Sequence, residues 1–267
     1  MQPLFLINEY ILYLLKAKNG GHGVHSDFVF KIYERVIREN KNYYEFQPIE
    51  LLRLSMLNSD NTIEVIDYGA KGGNKKLNHE NIIRRKIKDI ARLSSVTPKK
   101  GRLLFRLVNF IQPKVMVELG TSLGISTLYQ RKACPEALFY TLEGSPRTSE
   151  TAAENFNKMK ASGIIQIVGN FEHTLTELIE LNHSVDYVFF DGNHRLEATI
   201  DYFRRLMTIA SENTVFVFDD IRWSPEMYDA WKIIINENKA TVTVDLFSIG
   251  LVFFRKFQEK EHFVLRF

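Results

Sequence analysis

Apolar and polar positions divide the chain into two regimes. Over the first hundred residues the apolar positions recur at helical spacing. Residues 4–18 form one such segment, stopped by Asn19-Gly20-Gly21. Phe30, Tyr33, Val36 and Ile37 form a second behind Ser26, a good N-cap, and a third helix is expected over residues 46–57. Beyond residue 103 the period changes. Residues 114–119, 138–142, 164–168, 185–190 and 214–218 are short runs rich in β-branched and aromatic side chains, as strands buried on both faces require. Helix-sized segments lie between them, at 122–133, 147–161, 172–182 and 195–210, with another near 225–238. Such alternation specifies crossover units, hence an α/β fold with a doubly wound, mostly parallel sheet. The runs 241–247 and 251–255 are separated only by Ser248-Ile249-Gly250, too short for a crossover, so they predict an antiparallel hairpin at a sheet edge. The expected organisation is an N-terminal helical extension over 1–95 and a sheet domain over 96–267.

Composition changes this picture little. The 267 residues are 45% hydrophobic and 25% charged, with a net charge of +3, which excludes a disordered chain and argues against a general affinity for polyanions. The charge is polarised, however. Residues 71–102 hold eleven Lys or Arg against Glu80 and Asp89, a local +9, and no aromatic residue to stack bases. A solvated helix face beside a lid is the plain expectation for that segment, and nucleic acid is not an expected partner. The single Cys134 makes neither a disulfide nor a thiolate metal site and is expected as a core residue in a reducing, cytoplasmic setting. Asn8 and Glu9 interrupt the apolar start, so it predicts a helix rather than a signal sequence, and no membrane span is expected. A homodimer is compatible with this composition.

In an open parallel sheet, ligands bind beyond the carboxyl ends of the strands. The first run there leads into Val117-Glu118-Leu119-Gly120-Thr121-Ser122-Leu123-Gly124-Ile125-Ser126, a glycine turn in which Gly120 and Gly124 permit close backbone approach. Thr121 and Ser122 add hydroxyls and N–H groups at a helix N-terminus. The second run ends at Glu143, 19 residues after Gly124, where an acid can accept both hydroxyls of a ribose. An earlier strand-and-glycine pattern, 63–67 followed by Tyr68-Gly69-Ala70-Lys71-Gly72-Gly73, is set aside because no second strand is expected before residue 114. The fourth run ends in Asp191-Gly192-Asn193-His194 and the fifth in Asp219-Asp220. If those strands are neighbours, about 4.8 Å apart, three carboxylates converge and an oxygen-ligated cation such as Mg²⁺ would relieve their repulsion. Asp191 as a turn cap or a cofactor contact is the other reading. His22 and His25 lack a third ligand, and Trp223 and Trp231 suit core or cleft walls.

On these residues the chain resembles the class I S-adenosylmethionine-dependent methyltransferases, over about residues 95–256. Glu118-x-Gly120-x-x-x-Gly124 looks like their first motif, with Glu143 at the ribose position. The resemblance implies a Rossmann-like, seven-stranded, mostly parallel sheet with an antiparallel edge strand. It implies S-adenosylmethionine contacts at Glu118, Gly120, Thr121, Ser122, Gly124, Ser126, Glu143, Gly144, Ser145, Gly169, Asn170, Phe171 and Asp191. Many relatives have an acid where this chain has Asn170. Within the class, Asp191, Asp219 and Asp220 match the metal ligands of metal-dependent O-methyltransferases, although catechol-type enzymes commonly have Asn at Asp220. Those catechol-type relatives carry a Lys where sugar-type relatives, like this chain at His194, carry a His. The implied chemistry is methyl transfer to a hydroxyl of a sugar or other small molecule, with His194 as base. A nicotinamide-dependent dehydrogenase is disfavoured by the glycine spacing. A metal-free methyltransferase acting on another nucleophile, or a nucleotide- or RNA-binding module on the same core, are the remaining alternatives.

Overall fold

The computed structural model describes residues 3–19, 21, 24–66, 82–181 and 184–267. Its elements begin with α1 (Pro3–Lys16), α2 (Asp27–Ile32, continued by a π-helical turn, Tyr33–Ile37), α3 (Phe46–Leu57), β1 (Thr62–Ile66), β2 (Ile82–Lys86), α4 (Ile87–Ser94) and α5 (Pro98–Ile111). The alternating region follows: β3 (Val115–Leu119), α6 (Ile125–Ala133), β4 (Leu138–Glu143), α7 (Pro146–Lys158), β5 (Ile164–Val168), α8 (Phe171–Leu181), β6 (Val185–Phe190) and α9 (Leu196–Met207). It closes with β7 (Ala210–Asp219), α10 (Pro225–Asn236), β8 (Val242–Asp245), β9 (Ile249–Phe253) and β10 (Glu261–Val264). Three helices start at a Ser-Pro or Thr-Pro pair: Thr97-Pro98, Ser145-Pro146 and Ser224-Pro225. The hydroxyl residue suits the N-cap, and proline fits the first turn, where its missing N–H is no loss.

Eight strands form one mixed sheet in the order β10-β8-β9-β7-β6-β3-β4-β5, and β1 and β2 form a separate antiparallel pair. The α/β expectation therefore holds, with corrections in the strand count. There are eight strands in the sheet rather than seven. The hairpin β8–β9 forms as expected, but β9 lies inside the sheet, antiparallel to β7, and the edge is β10, parallel to β8. A second strand also precedes residue 114, since β2 pairs with β1 from Thr62↔Lys86 to Ile66↔Ile82. The glycine pattern after β1, His22 and the first part of the basic segment lie outside the described residues. None of the described helices is long and apolar enough to cross a membrane.

The chain divides into two compact units, residues 1–39 with 179–267, and residues 40–178. The first ninety-five residues thus split near residue 39, and the reason lies in what each part packs on. In the first unit the Tyr13 hydroxyl donates to the Leu265 carbonyl (2.6 Å), and Lys18 N–H donates to the Val264 carbonyl (2.9 Å). Its centre is aromatic: Phe190 stacks on Phe218 at 4.2 Å, Phe203 meets Phe216 and Phe218, and Trp231 packs by Phe218. In the second unit, Phe46 on α3 lies 5.0 Å from the ring of Phe105 and 5.7 Å from that of Tyr129, whose hydroxyl donates to Glu50 (2.6 Å). Burying side chains of this size contributes roughly 1.5–3 kcal/mol each.

Gly250 on β9 faces the Trp231 ring so closely that an added Cβ would come within 2.6 Å of it. Trp231 is fully enclosed and has nowhere to move. Gly250→Ala is expected to destabilise the fold by about 1–3 kcal/mol, read from the urea unfolding midpoint. An unchanged midpoint would show that this packing yields more than the contacts allow.

Candidate active site

In the second unit, three loops meet at the carboxyl end of β4. The backbone N–H groups of Gly120 and Thr121 donate to the Leu142 carbonyl (2.9 and 3.1 Å), and that of Gly169 donates to the Glu143 carbonyl (2.9 Å). The Glu143 carboxylate is gripped on both oxygens: Ser122 N–H donates to Oε2 and Ser145 N–H to Oε1, each at 2.9 Å. Burial pushes this carboxyl above the usual range, against the pull of the N–H groups of Ser145, Ser122 and Gly144. Each carboxylate oxygen has lone-pair capacity beyond one such bond. The turn that brings Ser122 here is tight. Ser122 itself is left-handed (φ 48°) and so is Gly124 (φ 84°), where a Cβ would strike Phe156. Ser122 Oγ is buried with no hydrogen-bond partner among the described residues. A buried orphan hydroxyl beside a carboxylate suits a polyhydroxylated ligand, so the residues present fit a nucleoside.

Glu118 has a different task from the one its motif suggests. It is completely buried, its Oε2 accepting from Thr127 (2.5 Å) and Thr141 (2.7 Å) and its Oε1 from Gln130 (2.8 Å). Such a group has no surface with which to meet a ligand. It ties β3 to β4 and α6, and so holds the turn in place. Thr121 joins the same cluster through the Thr141 hydroxyl (2.6 Å), and Ser126 bonds to Glu118 as well. Burial raises the Glu118 carboxyl to about 7 despite these donors. The sequence signals missed here were Thr141, a polar residue inside the mostly apolar β4, and Thr127 and Gln130 on α6.

Two further expected contacts are engaged within the protein. Asn170 Oδ1 accepts from Glu172 N–H (3.0 Å) and its carbonyl from His173 and Thr174, so it caps α8, which begins at the half-buried Phe171. Ser145 Oγ accepts from Ile66 N–H (3.3 Å), linking β1 to the Glu143 loop; its hydroxyl proton is left to be donated.

In the first unit, β6 and β7 are parallel neighbours with Phe190 opposite Phe218, so Asp191 and Asp219 follow at the same end of adjacent strands. His194 Nε2 lies 3.9 Å from Asp191 Oδ1, and its ring centroid is 6.2 Å from that of Trp223. Asp220 is left-handed (φ 52°), its N–H donating to Asp219 Oδ1 (2.8 Å) and its carbonyl accepting from Trp223 N–H (2.8 Å). The expected three-carboxylate cation site is not formed by these positions. Among the described residues, no three His, Cys, Asp or Glu side chains are grouped to hold a metal ion. Asp219 is only 4% exposed, with one oxygen already committed to the backbone of Asp220. What the sequence reading missed is Arg222, buried among Asp245, Glu9 and three aromatic rings. Asp245, the charge that ends the fully buried strand Val-Thr-Val-Asp, was its signal.

Residues 117–221 match the profile of a family described as a methyltransferase domain. The catechol O-methyltransferase of Niastella koreensis is 28% identical over 130 residues, 48% of this chain and 58% of that protein. That of Mycobacterium tuberculosis is 29% identical over 129 residues, 48% of this chain and 57% of its own. The chain thus spans somewhat under three fifths of the length of these curated relatives. The crystal structure of an O-methyltransferase from Bacillus cereus in complex with SAH superimposes with a TM-score of 0.57 at 14% identity, covering 83% of this chain and 94% of that one. The fold is therefore that of these enzymes.

The burial of Glu118 has a consequence for stability. The unfolded chain releases this proton near the usual glutamate value, whereas the folded protein holds it to about 7, so stability falls as pH rises between the two. Relative to Glu118→Gln, the wild type is expected to lose about 1.4 kcal/mol per pH unit across that window. Urea titrations of both proteins from pH 4.5 to 7.5 check this, and parallel curves would contradict it.

Proposed function

We propose that this chain, which carries a class I S-adenosylmethionine-dependent methyltransferase domain, moves the methyl group of S-adenosylmethionine to a hydroxyl of a small molecule. The observation that supports it most is Glu143, held at the end of β4 by the Ser122 and Ser145 N–H groups beside the orphaned Ser122 hydroxyl. This is the chemistry that grips a ribose diol. When bound, S-adenosylmethionine supplies an electrophilic methyl group on a sulfonium. Glu143 would accept from the ribose hydroxyls, Ser122 Oγ would find its missing partner on the nucleoside, and the turn at Gly120 would let the backbone approach it. Glu118 contributes by fixing that turn.

On the acceptor side, His194 is the base: its imidazole takes the hydroxyl proton as oxygen becomes the nucleophile. Asp191 Oδ1 lies 3.9 Å from the His194 Nε2, and the proton passes on to water. Trp223, 42% exposed near His194, offers a flat wall for a ring-shaped acceptor, either a sugar or a phenol such as catechol. No step here runs through a metal ion, because Asp191, Asp219 and Asp220 do not stand as a ligand set.

Calorimetric titration with S-adenosylhomocysteine tests the reading. Wild type is expected to bind at one site, and Glu143→Ala at least tenfold more weakly, about 1.4 kcal/mol. Absence of binding at millimolar ligand would overturn methyl transfer. The same titration with Mg²⁺, on wild type and Asp191→Ala, reads whether a cation joins these carboxylates. Once an acceptor is turned over, His194→Ala should lower kcat by roughly 10²–10⁴ with the S-adenosylhomocysteine affinity unchanged; an equal loss of that affinity would remove His194 from the role of base.

A further inference from the structure

A buried ion pair in the first unit lies two residues beyond Asp220. Arg222 donates from Nη1 to Asp245 Oδ1 (2.8 Å) and from Nη2 to Asp245 Oδ2 (2.7 Å), a bidentate fork, and Nη1 also donates to the Phe247 carbonyl (2.9 Å). Its Nε reaches Glu9 Oε2 on α1 at 3.5 Å. The rings of Tyr228, Phe247 and Tyr13 surround the guanidinium at 4.6, 5.3 and 6.0 Å. Asp245 is satisfied further by Phe247 N–H (2.8 Å) and Trp231 Nε1 (3.3 Å). The Arg222 and Asp245 side chains are 5% and 3% exposed.

Taking two charges out of water gains little net stability over well-packed apolar residues, so a pair this completely enclosed needs another account. The local backbone supplies one. Residues 220–223 form a tight turn with Asp220 left-handed, Trp223 N–H on the Asp220 carbonyl, and Ile221 N–H on the Ser248 carbonyl at 3.3 Å. Ile221 and Arg222 are both buried, and Arg222 is the one that roots this turn by hydrogen bonds, while the next residue, Trp223, stands out beside His194. A fork with two parallel hydrogen bonds fixes orientation as well as position, which a lysine would not.

We propose that Arg222 is a positioning residue for the acceptor: clamped by Asp245 and Glu9, it sets the turn that presents Trp223 beside His194, and it makes α1 a working part of the acceptor side. The proposal rests on the methyltransferase reading for its purpose, but not for its geometry. Glu9, the only acid on α1, is turned inward onto Arg222 while Leu4, Ile7, Ile11 and Leu15 of the same helix stay exposed. The helix is therefore attached through the clamp as well as through Tyr13.

The chain has two tryptophans, Trp231 enclosed and Trp223 exposed, so acrylamide quenching of tryptophan fluorescence reports on Trp223. Trp223→Phe, which should lose the quenchable signal, confirms the assignment. Arg222→Met leaves Asp245 buried and unpaired and can unfold the protein. The double variant Arg222→Met/Asp245→Asn removes both charges and keeps the test valid. In that variant, with cooperative unfolding retained, the quenching constant is expected to rise at least twofold and the S-adenosylhomocysteine affinity to stay within twofold of wild type. With catechol as the acceptor probe, its KM should rise tenfold or more. Arg222→Lys should fall between the two proteins. A folded double variant with wild-type quenching would overturn the proposal, as would an equal loss of S-adenosylhomocysteine affinity, which would mark a general structural role. Wild type that binds no S-adenosylhomocysteine would remove the methyltransferase reading while quenching still decided the clamp. Wild type that binds it but leaves catechol unmethylated would remove catechol as acceptor, and quenching would again decide the clamp.

Discussion

A carboxylate withdrawn from water has to be surrounded by donors, and this requirement shapes the loops at both candidate sites. Glu118, Glu143 and Asp245 all meet it, each with a different donor set. Side-chain hydroxyls and an amide satisfy Glu118, which locks the glycine turn from beneath. Backbone N–H groups from two loops satisfy Glu143 and leave its oxygens able to accept more. A guanidinium satisfies Asp245 and gives a rigid, closed pair. The first and third arrangements are finished and serve as scaffolding. The second has beside it the Ser122 hydroxyl, buried with no partner among the described residues, and is the one proposed to receive a ligand.

This difference explains why two acids on adjacent strands, both in motif positions, take separate roles. Glu118 precedes the strand end and points to neighbours that are all polar; Glu143 is the last residue of its strand, where the sheet stops and the loops begin. Closeness in sequence to the glycine turn therefore does not separate the two acids; position relative to the end of the strand does, because that is where the backbone donors of the loops become available.

Most of the alternating region was legible from the chain alone, because buried parallel strands are short, apolar and separated by helices of regular period. The runs 164–168 and 185–190 coincide with β5 and β6, and the helix expected at 46–57 coincides with α3. The failures share a physical cause, which is dependence on partners distant in sequence. β10 is four residues long and follows a polar stretch; it exists because β8 offers it an edge, 19 residues away at Glu261↔Val242. β2, Ile-Ile-Arg-Arg-Lys, is concealed by its charges and stands because β1 pairs with it. At the candidate site, residue types at strand ends pointed to Glu143 and His194 as candidates, but Ser122 in left-handed backbone, Asn170 as a cap and the Arg222 clamp are set by geometry that no spacing encodes.

The central claim is that the Glu143 carboxylate and the N–H groups around it form the nucleoside site. Amide ¹H–¹⁵N spectra recorded through a titration with S-adenosylhomocysteine test it at the atoms concerned. The account predicts that the Ser122, Gly144 and Ser145 amides shift together and saturate with a single affinity. Saturable shifts confined to other residues, with these three silent, would contradict it.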